Sequence, residues 1–192
     1  MKILLTFFLL CFSSSLFADD ISDFQIEGMS IGDSLLDYFT LPEINEPNKY
    51  YFKDNRFIGI HIYKHSSFKV YDGVSFAYKP EEKYKIYELT GQIYFRDNVD
   101  ECYKKQDEIV SELSVVFKNI AKKEKYNGNF PPDESGKSKT TVVQFTLSSG
   151  TVRVVCHDMS EKVTKERNWF DSLKVEIMEE EYKNFIFNEA YK

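Results

Sequence analysis

Residues 98–123 read NVDECYKKQDEIVSELSVVFKNIAKK, and their spacing decides the fold class. Cys102, Gln106, Ile109, Leu113, Val116 and Ile120 recur at three- and four-residue intervals, which places them on one face of a helix running from about Val99 to Lys123. The flanking segments have the other period. Upstream, RFIGIHIYK alternates Ile58, Ile60 and Ile62 against Gly59, His61 and Tyr63. VSFAYK and KYKIYELTGQIYF pair as a hairpin across Pro80 to Lys83. The second arm alternates Tyr87, Leu89, Gly91, Ile93 and Phe95, with Gly91 marking a bulge or a bend. Downstream, TTVVQFTLSSGTVRVVCHD turns at Ser149 and Gly150, and a last strand around Leu173 to Ile177 precedes a helix with Tyr182, Phe185, Ile186 and Ala190 on one side. Ahead of all these, FQIEGMSIGDSLLDYFTLP reads as a loop and a short helix, with Ser30 as cap, Ile31, Leu35 and Phe39 on one face, and Pro42 as the stop.

Strands in runs with few helices between them specify an α+β fold: an antiparallel sheet of about six or seven strands, with a long helix and two shorter helices packed mainly on one face. The order of helix plus strands, then helix plus strands, suggests a duplicated organisation, although no residue-level repeat accompanies it. Between the long helix and the next strand, Lys125 to Lys139 reads as a solvated, mobile polar loop and a candidate contact surface.

The N-terminus, MKILLTFFLLCFSSSLFADD, has the plan of a secretory signal: Lys2, an apolar run from Ile3 to Phe12, then small residues ending at Ala18. Cleavage after Ala18 is the preferred reading and after Ser15 the runner-up. Lipidation of Cys11 is disfavoured because Leu10, not a small residue, precedes it. Removing the first 18 of 192 residues leaves 174, one domain spanning 19–192 with no second apolar run of membrane-spanning length. The expected location is outside the cytoplasm, the periplasm before secretion. The formal charge of −6 becomes more negative when Lys2 leaves, which argues against a nucleic-acid partner.

Two cysteines then remain, Cys102 and Cys156. In an oxidising compartment such a pair reads as a bridge. Cys102 lies on the apolar helix face and Cys156 alternates with Val152 and Val154 on a strand, so both aim at one core.

Four patterns could carry chemistry. Gly32, Asp33, Ser34 and Leu35 spell the G-D-S-L of a hydrolase family, but such a serine needs a D-x-x-H base and a G-x-N-D oxyanion donor. Ile58, Ile62 and Val154 stand three residues before the histidines, and no G-x-N-D occurs, so Ser34 reads as part of a helix start. His61 and His65 have metal-ligand spacing for a helix, whereas on a strand that spacing spans roughly 13 Å. PPDESGKSK ends like a phosphate loop but has Pro131 at the first glycine position and leads into a strand. Cys156 and His157 are adjacent on a strand and face opposite ways. No catalytic residue, metal or cofactor is expected.

The phrases IEGMSIGDSLLDYF (26–39), VYDGVSFAYK (70–79), YKKQDEIVSEL (103–113), SGKSK (135–139) and SEKVTKERNW (160–169) together resemble a family of small exported bacterial proteins with no assigned activity. The resemblance implies export and a stable fold. Gly28, Met29 and Ser30 are also similar to the G-M-[ST] turn that opens outer-membrane assembly proteins of the SmpA/OmlA type, which continue into antiparallel strands. The chain departs from them in length, in its single short helix before the strands, and in having no lipid-accepting cysteine.

The expected role is therefore non-enzymatic binding of an envelope protein, with small-ligand or glycan binding as the alternative and a hydrolase third. The expected surface combines His61 and Tyr63 on the polar sheet face, Tyr126, Phe130 and Lys137 in the polar loop, and Trp169.

Overall fold

The computed structural model describes residues 20–45, 49–52, 55–96, 98–118 and 121–191. The expected signal segment with Cys11, and Ile120 of the helical stripe, lie outside the described residues.

Eight strands form one antiparallel sheet: β1 (Lys49–Tyr51), β2 (Ile58–Tyr63), β3 (Gly73–Lys79), β4 (Lys85–Tyr94), β5 (Lys122–Asn129), β6 (Lys139–Thr146), β7 (Gly150–Asp158) and β8 (Ser172–Glu179). Their order is β1-β2-β3-β4-β8-β7-β6-β5, so two four-stranded meanders meet at their final strands. The α+β class is as the sequence indicates, and the extra strands are β1 and β5. Strand β5, KKEKYNGN, occupies the first part of the segment expected to be a loop. It is exposed along its whole length and held by its ladder to β6, so apolar alternation could not reveal it. Its lysines and glutamate guard the sheet's outer edge.

Helix α2 (Val99–Val116) starts under the side chain of Asn98, which accepts a hydrogen bond from the Glu101 amide at 3.3 Å. Asp100 and Glu101 in the first turn suit the helix dipole. Cys102, Gln106, Ile109 and Leu113 of the expected stripe are buried against the sheet and Val116 is partly buried; Gln106 donates from Nε2 to the carbonyls of Thr141 (2.9 Å) and Val154 (2.8 Å). The helix is shorter than its periodicity suggests because Phe117 leaves the helical path. Its ring packs at 4.8 Å from Phe24 and 5.2 Å from Phe145. A disulfide joins Cys102 on α2 to Cys156 on β7, with Cα atoms 6.0 Å apart.

On the same face lie the N-terminal 3-10 turns Ile21–Asp23 and Leu35–Asp37 and helix α1 (Leu41–Asn45), adding Ile26, Leu35, Phe39 and Ile44 to a core that includes Val74, Phe76, Leu89, Val154 and Ile177. The helix expected from Ser30 does not form. Asp33 Oδ2 accepts from the Ser30 amide at 2.8 Å, the cap is Ser34, and Pro42 sits in the first turn of α1, where a missing amide proton is tolerated.

Helix α4 (Glu180–Asn188) follows β8 directly and packs on the opposite face, with Tyr182, Phe185 and Ala190 meeting Phe52, Phe57, Tyr87 and Met178. A bulge makes this possible. The β3–β4 register passes from Ala77↔Glu88 to Tyr78↔Ile86, so Tyr87 is skipped and turns with Glu88 toward the α4 side. Tyr87 therefore leaves the face of Leu89, contrary to simple alternation. Gly91 is not the bulge: a Cβ there would lie 2.5 Å from the Tyr71 ring, which needs the space.

The remaining helix, α3 (Glu161–Arg167), was not assigned from sequence. Its signals are Ser160, whose Oγ accepts from the Val163 amide at 3.4 Å, and Asn168 at φ 56°, a left-handed stop. Before it, the turn expected to be mobile is tied by buried Asp133. That carboxylate accepts from the amides of Ser135 (3.0 Å) and Ser138 (2.9 Å) and from the Ser138 (2.6 Å) and Ser160 (3.1 Å) hydroxyls. Hydrogen bonds from Ser135 and Ser138 hold its pKa below the ordinary aspartate value.

Candidate functional site

One sheet face is covered by α2 and the N-terminal turns, while α4 covers only part of the other. Strand alternation brings His61, Ser75, Glu88, Thr90, Lys174, Glu176, Arg153 and His157 to that second face, and the bulge adds Tyr87. Beside α4 the residues of this set other than Tyr87 and His157 line a cavity of about 210 Å³ whose walls include Tyr50, Tyr182, Met178, Ile186 and Phe187.

His61 is held from three sides. Its Nδ1 is 2.5 Å from Ser75 Oγ, and its ring lies between Tyr50 (5.3 Å) and Tyr63 (6.0 Å, stacked). Tyr50 can lie on the sheet because residue 59 is glycine: a Cβ there would sit 1.8 Å from the ring. Burial, then the charge of Lys174, lowers the His61 pKa and favours the neutral imidazole.

Glu88 is the unusual group. It is 7% exposed and accepts a hydrogen bond from Thr90 Oγ1. Burial pushes its pKa up to about 8, against the lowering effect of Thr90 and with a contribution from Glu176. At neutral pH it is chiefly a carboxylic acid. Arg153 and Glu176 pair at 2.8 Å, and Arg153 Nη2 also donates to the Tyr126 hydroxyl at 3.3 Å. Among the described residues no carboxylate stands within ion-pair distance of Lys174.

The raised Glu88 pKa gives a stability prediction with a definite sign. The folded state holds this proton more tightly than the unfolded chain, whose carboxyl titrates near its ordinary value. The burial penalty is therefore absent below the unfolded pKa, grows as pH rises, and is complete above about 8. Lowering pH from about 8.5 to about 6.5 should stabilise the wild type relative to Glu88→Gln by roughly 2 kcal/mol. Urea unfolding of both proteins across this window checks it, and parallel profiles would refute the assignment.

A second cluster adjoins the cavity. Phe130 meets Trp169 edge-on at 5.8 Å and His157 at 5.1 Å, and Arg167 lies 5.0 Å over the Trp169 ring. His157 Nδ1 is 3.0 Å from Thr140 Oγ1, and burial with nearby Lys174 and Arg153 lowers its pKa to about 3. His61 and Tyr63 thus come together, Phe130 and Trp169 come together, and Tyr126 touches Arg153 between them. Lys137 does not join them; it lies beside α3 with Glu161, Lys162, Lys165 and Glu166.

The other sequence patterns fall elsewhere. The Ser34 hydroxyl donates to the Lys83 carbonyl at 2.7 Å and accepts from the Leu36 amide at 3.2 Å, pinning the N-terminal turn to the β3–β4 hairpin. His65 contacts Ser67 (2.6 Å) and Glu43 (3.2 Å) away from His61's partners. Among the described residues no group of three or more His, Cys, Asp or Glu is placed to hold a metal, and no helix is long and apolar enough to cross a membrane. Sequence reasoning missed Glu88, Arg153, Lys174 and Phe187. The alternation of SLKVEIM puts Lys174 and Glu176 on one face, and that of ELT puts Glu88 on the face of Thr90, but the pattern does not say which strands bring them together.

No protein-family model matches the chain, and no curated protein or solved structure matches it either.

Proposed function

We propose that this is an exported binding protein that engages a partner protein of the cell envelope through the open face of its sheet. The observation that carries the reading is the concentration of exposed rings there: Tyr63, Tyr126, Trp169 and Phe187 are 39 to 56% exposed, with Arg153 between them. Tyr, Trp and Arg are the residues that dominate protein interfaces, and rings left in water on a half-covered sheet face fit a surface that another molecule covers. The disulfide and the signal-like N-terminus support an oxidising compartment. Binding of a small ligand is a second reading, favoured by the Tyr50–Tyr182 walled cavity.

Photo-crosslinking residues placed singly at Tyr63, Tyr126 and Trp169 should each capture one partner of the same mass from intact cells. The same probe at Val115, 76% exposed on α2 and across the sheet, should not. Equal capture from Val115 would remove the face-specific reading.

A further inference from the structure

We propose that the cavity beside α4 is a receptor for a small organic carboxylate, held by Lys174 and Glu88 with its carbon chain against the apolar residues of α4. This rests on the small-ligand reading, and it names the ligand's chemical class.

The argument is a charge count. Arg153 and Glu176 neutralise each other at 2.8 Å. His61 is kept neutral by burial, and Glu88 by burial against the Tyr182 wall. Lys174 then contributes one ammonium without a counter-ion among the described residues, in a protein whose overall charge is negative. A half-buried, unbalanced cation favours one anion. The acid form of Glu88 strengthens this choice. Thr90 donates to Oε1, so the acid proton belongs on the other oxygen, in a group that lines the cavity. An ammonium and an acid O–H suit the two oxygens of a carboxylate. Ile186, Phe187 and Met178 complete the lining and require an apolar remainder. The volume of about 210 Å³ equals about seven water volumes, which limits the ligand to a short chain or a single ring.

A pH signature follows, because ionised Glu88 would repel the ligand. The titratable or charged groups facing Glu88 are Lys174 and Glu176 from β8, Arg153 from β7, His61 from β2, Tyr50 from β1 and Tyr182 from α4. Burial raises both tyrosine pKa values, so neither ionises in this window. Carboxylate affinity should therefore fall by about tenfold per pH unit above about 8.

The test is titration of the full mature chain with benzoate, benzylammonium and benzyl alcohol, followed by NMR shifts of the Thr90, Lys174 and Phe187 amides. Benzoate should bind at neutral pH and weaken above about 8. Lys174→Met should weaken it about tenfold or more. Glu88→Gln, which keeps a donor but cannot ionise, should retain binding and lose the pH dependence. If Lys174→Met does not fold, the wild-type pH profile decides alone. Preference for benzylammonium, or affinity that rises with pH, overturns the carboxylate class and leaves the small-ligand reading standing. No shifts with any probe overturns both. The crosslinking result bears on neither.

Discussion

Cys156→Ala lowers the unfolding free energy by roughly 4 kcal/mol in oxidising buffer, the chain-entropy value for a cross-link across 54 residues. In a domain of this size that corresponds to a fall in Tm of roughly 8 to 16 °C. The location explains why little else could replace the bond. Cys102 and Cys156 are both fully buried, and they fasten the longest helix among the described residues to an interior strand of the second meander. Alanine is the appropriate replacement because a serine hydroxyl would be buried beside apolar groups. The reduced wild type should melt close to the variant. A variant that melts with the oxidised wild type would show that the bridge contributes nothing to stability.

Phe57→Ala should be comparably damaging, at roughly 3 to 5 kcal/mol. Phe57 is fully buried where α4 meets the sheet: its ring lies 5.2 Å from Tyr87, 5.1 Å from Tyr182 and 4.9 Å from Phe185, with Lys79 Nζ 5.0 Å over it. Removing it leaves a cavity that no neighbour can fill without unseating the helix. Urea unfolding should record the loss, and hydrogen exchange should show α4 amides opening well before those of α2. Tyr51→Ala, at a position 62% exposed, should change stability little. Full protection of α4 in Phe57→Ala would mean that the helix docks independently of this ring.

The contrast between these two sites shows what the sequence could convey. The disulfide was legible because each cysteine sits in a clean period, one helical and one extended, and both periods point at the same core. Helix α4 was legible from Tyr182, Phe185 and Ala190, but the surface it covers was not. That surface depends on a single skipped residue, Tyr87, and nothing in KIYELTGQIY distinguishes a bulged strand from a regular one. Strand β5 failed for the opposite reason: it buries no side chain, so only the backbone pairing with β6 defines it. The binding face was partly legible. His61 and Tyr63 announced themselves by alternation, whereas the cavity draws residues from β1, β2, β3, β4, β7, β8 and α4, a convergence that only the sheet order creates.

That order also governs the sequence of assembly. Within each meander, successive strands are neighbours along the chain, and loop closure between them is short. The seam is different, since it joins Glu88 to Met178 and Tyr94 to Ser172 across the whole second half of the chain. Contacts of such separation form late, after the entropy of a long loop has been overcome. Until then β4 and β8 are unpaired edges that carry Leu89 and Ile177, the kind of strand that recruits other chains. The disulfide shortens this search only once it has formed: Cys102 and Cys156 both lie within the stretch from Tyr94 to Ser172, and bridging them takes 54 residues out of the loop. The two strands that end at the centre of the molecule are thus the last to find each other, and the newly made protein is most open to misassociation while they search.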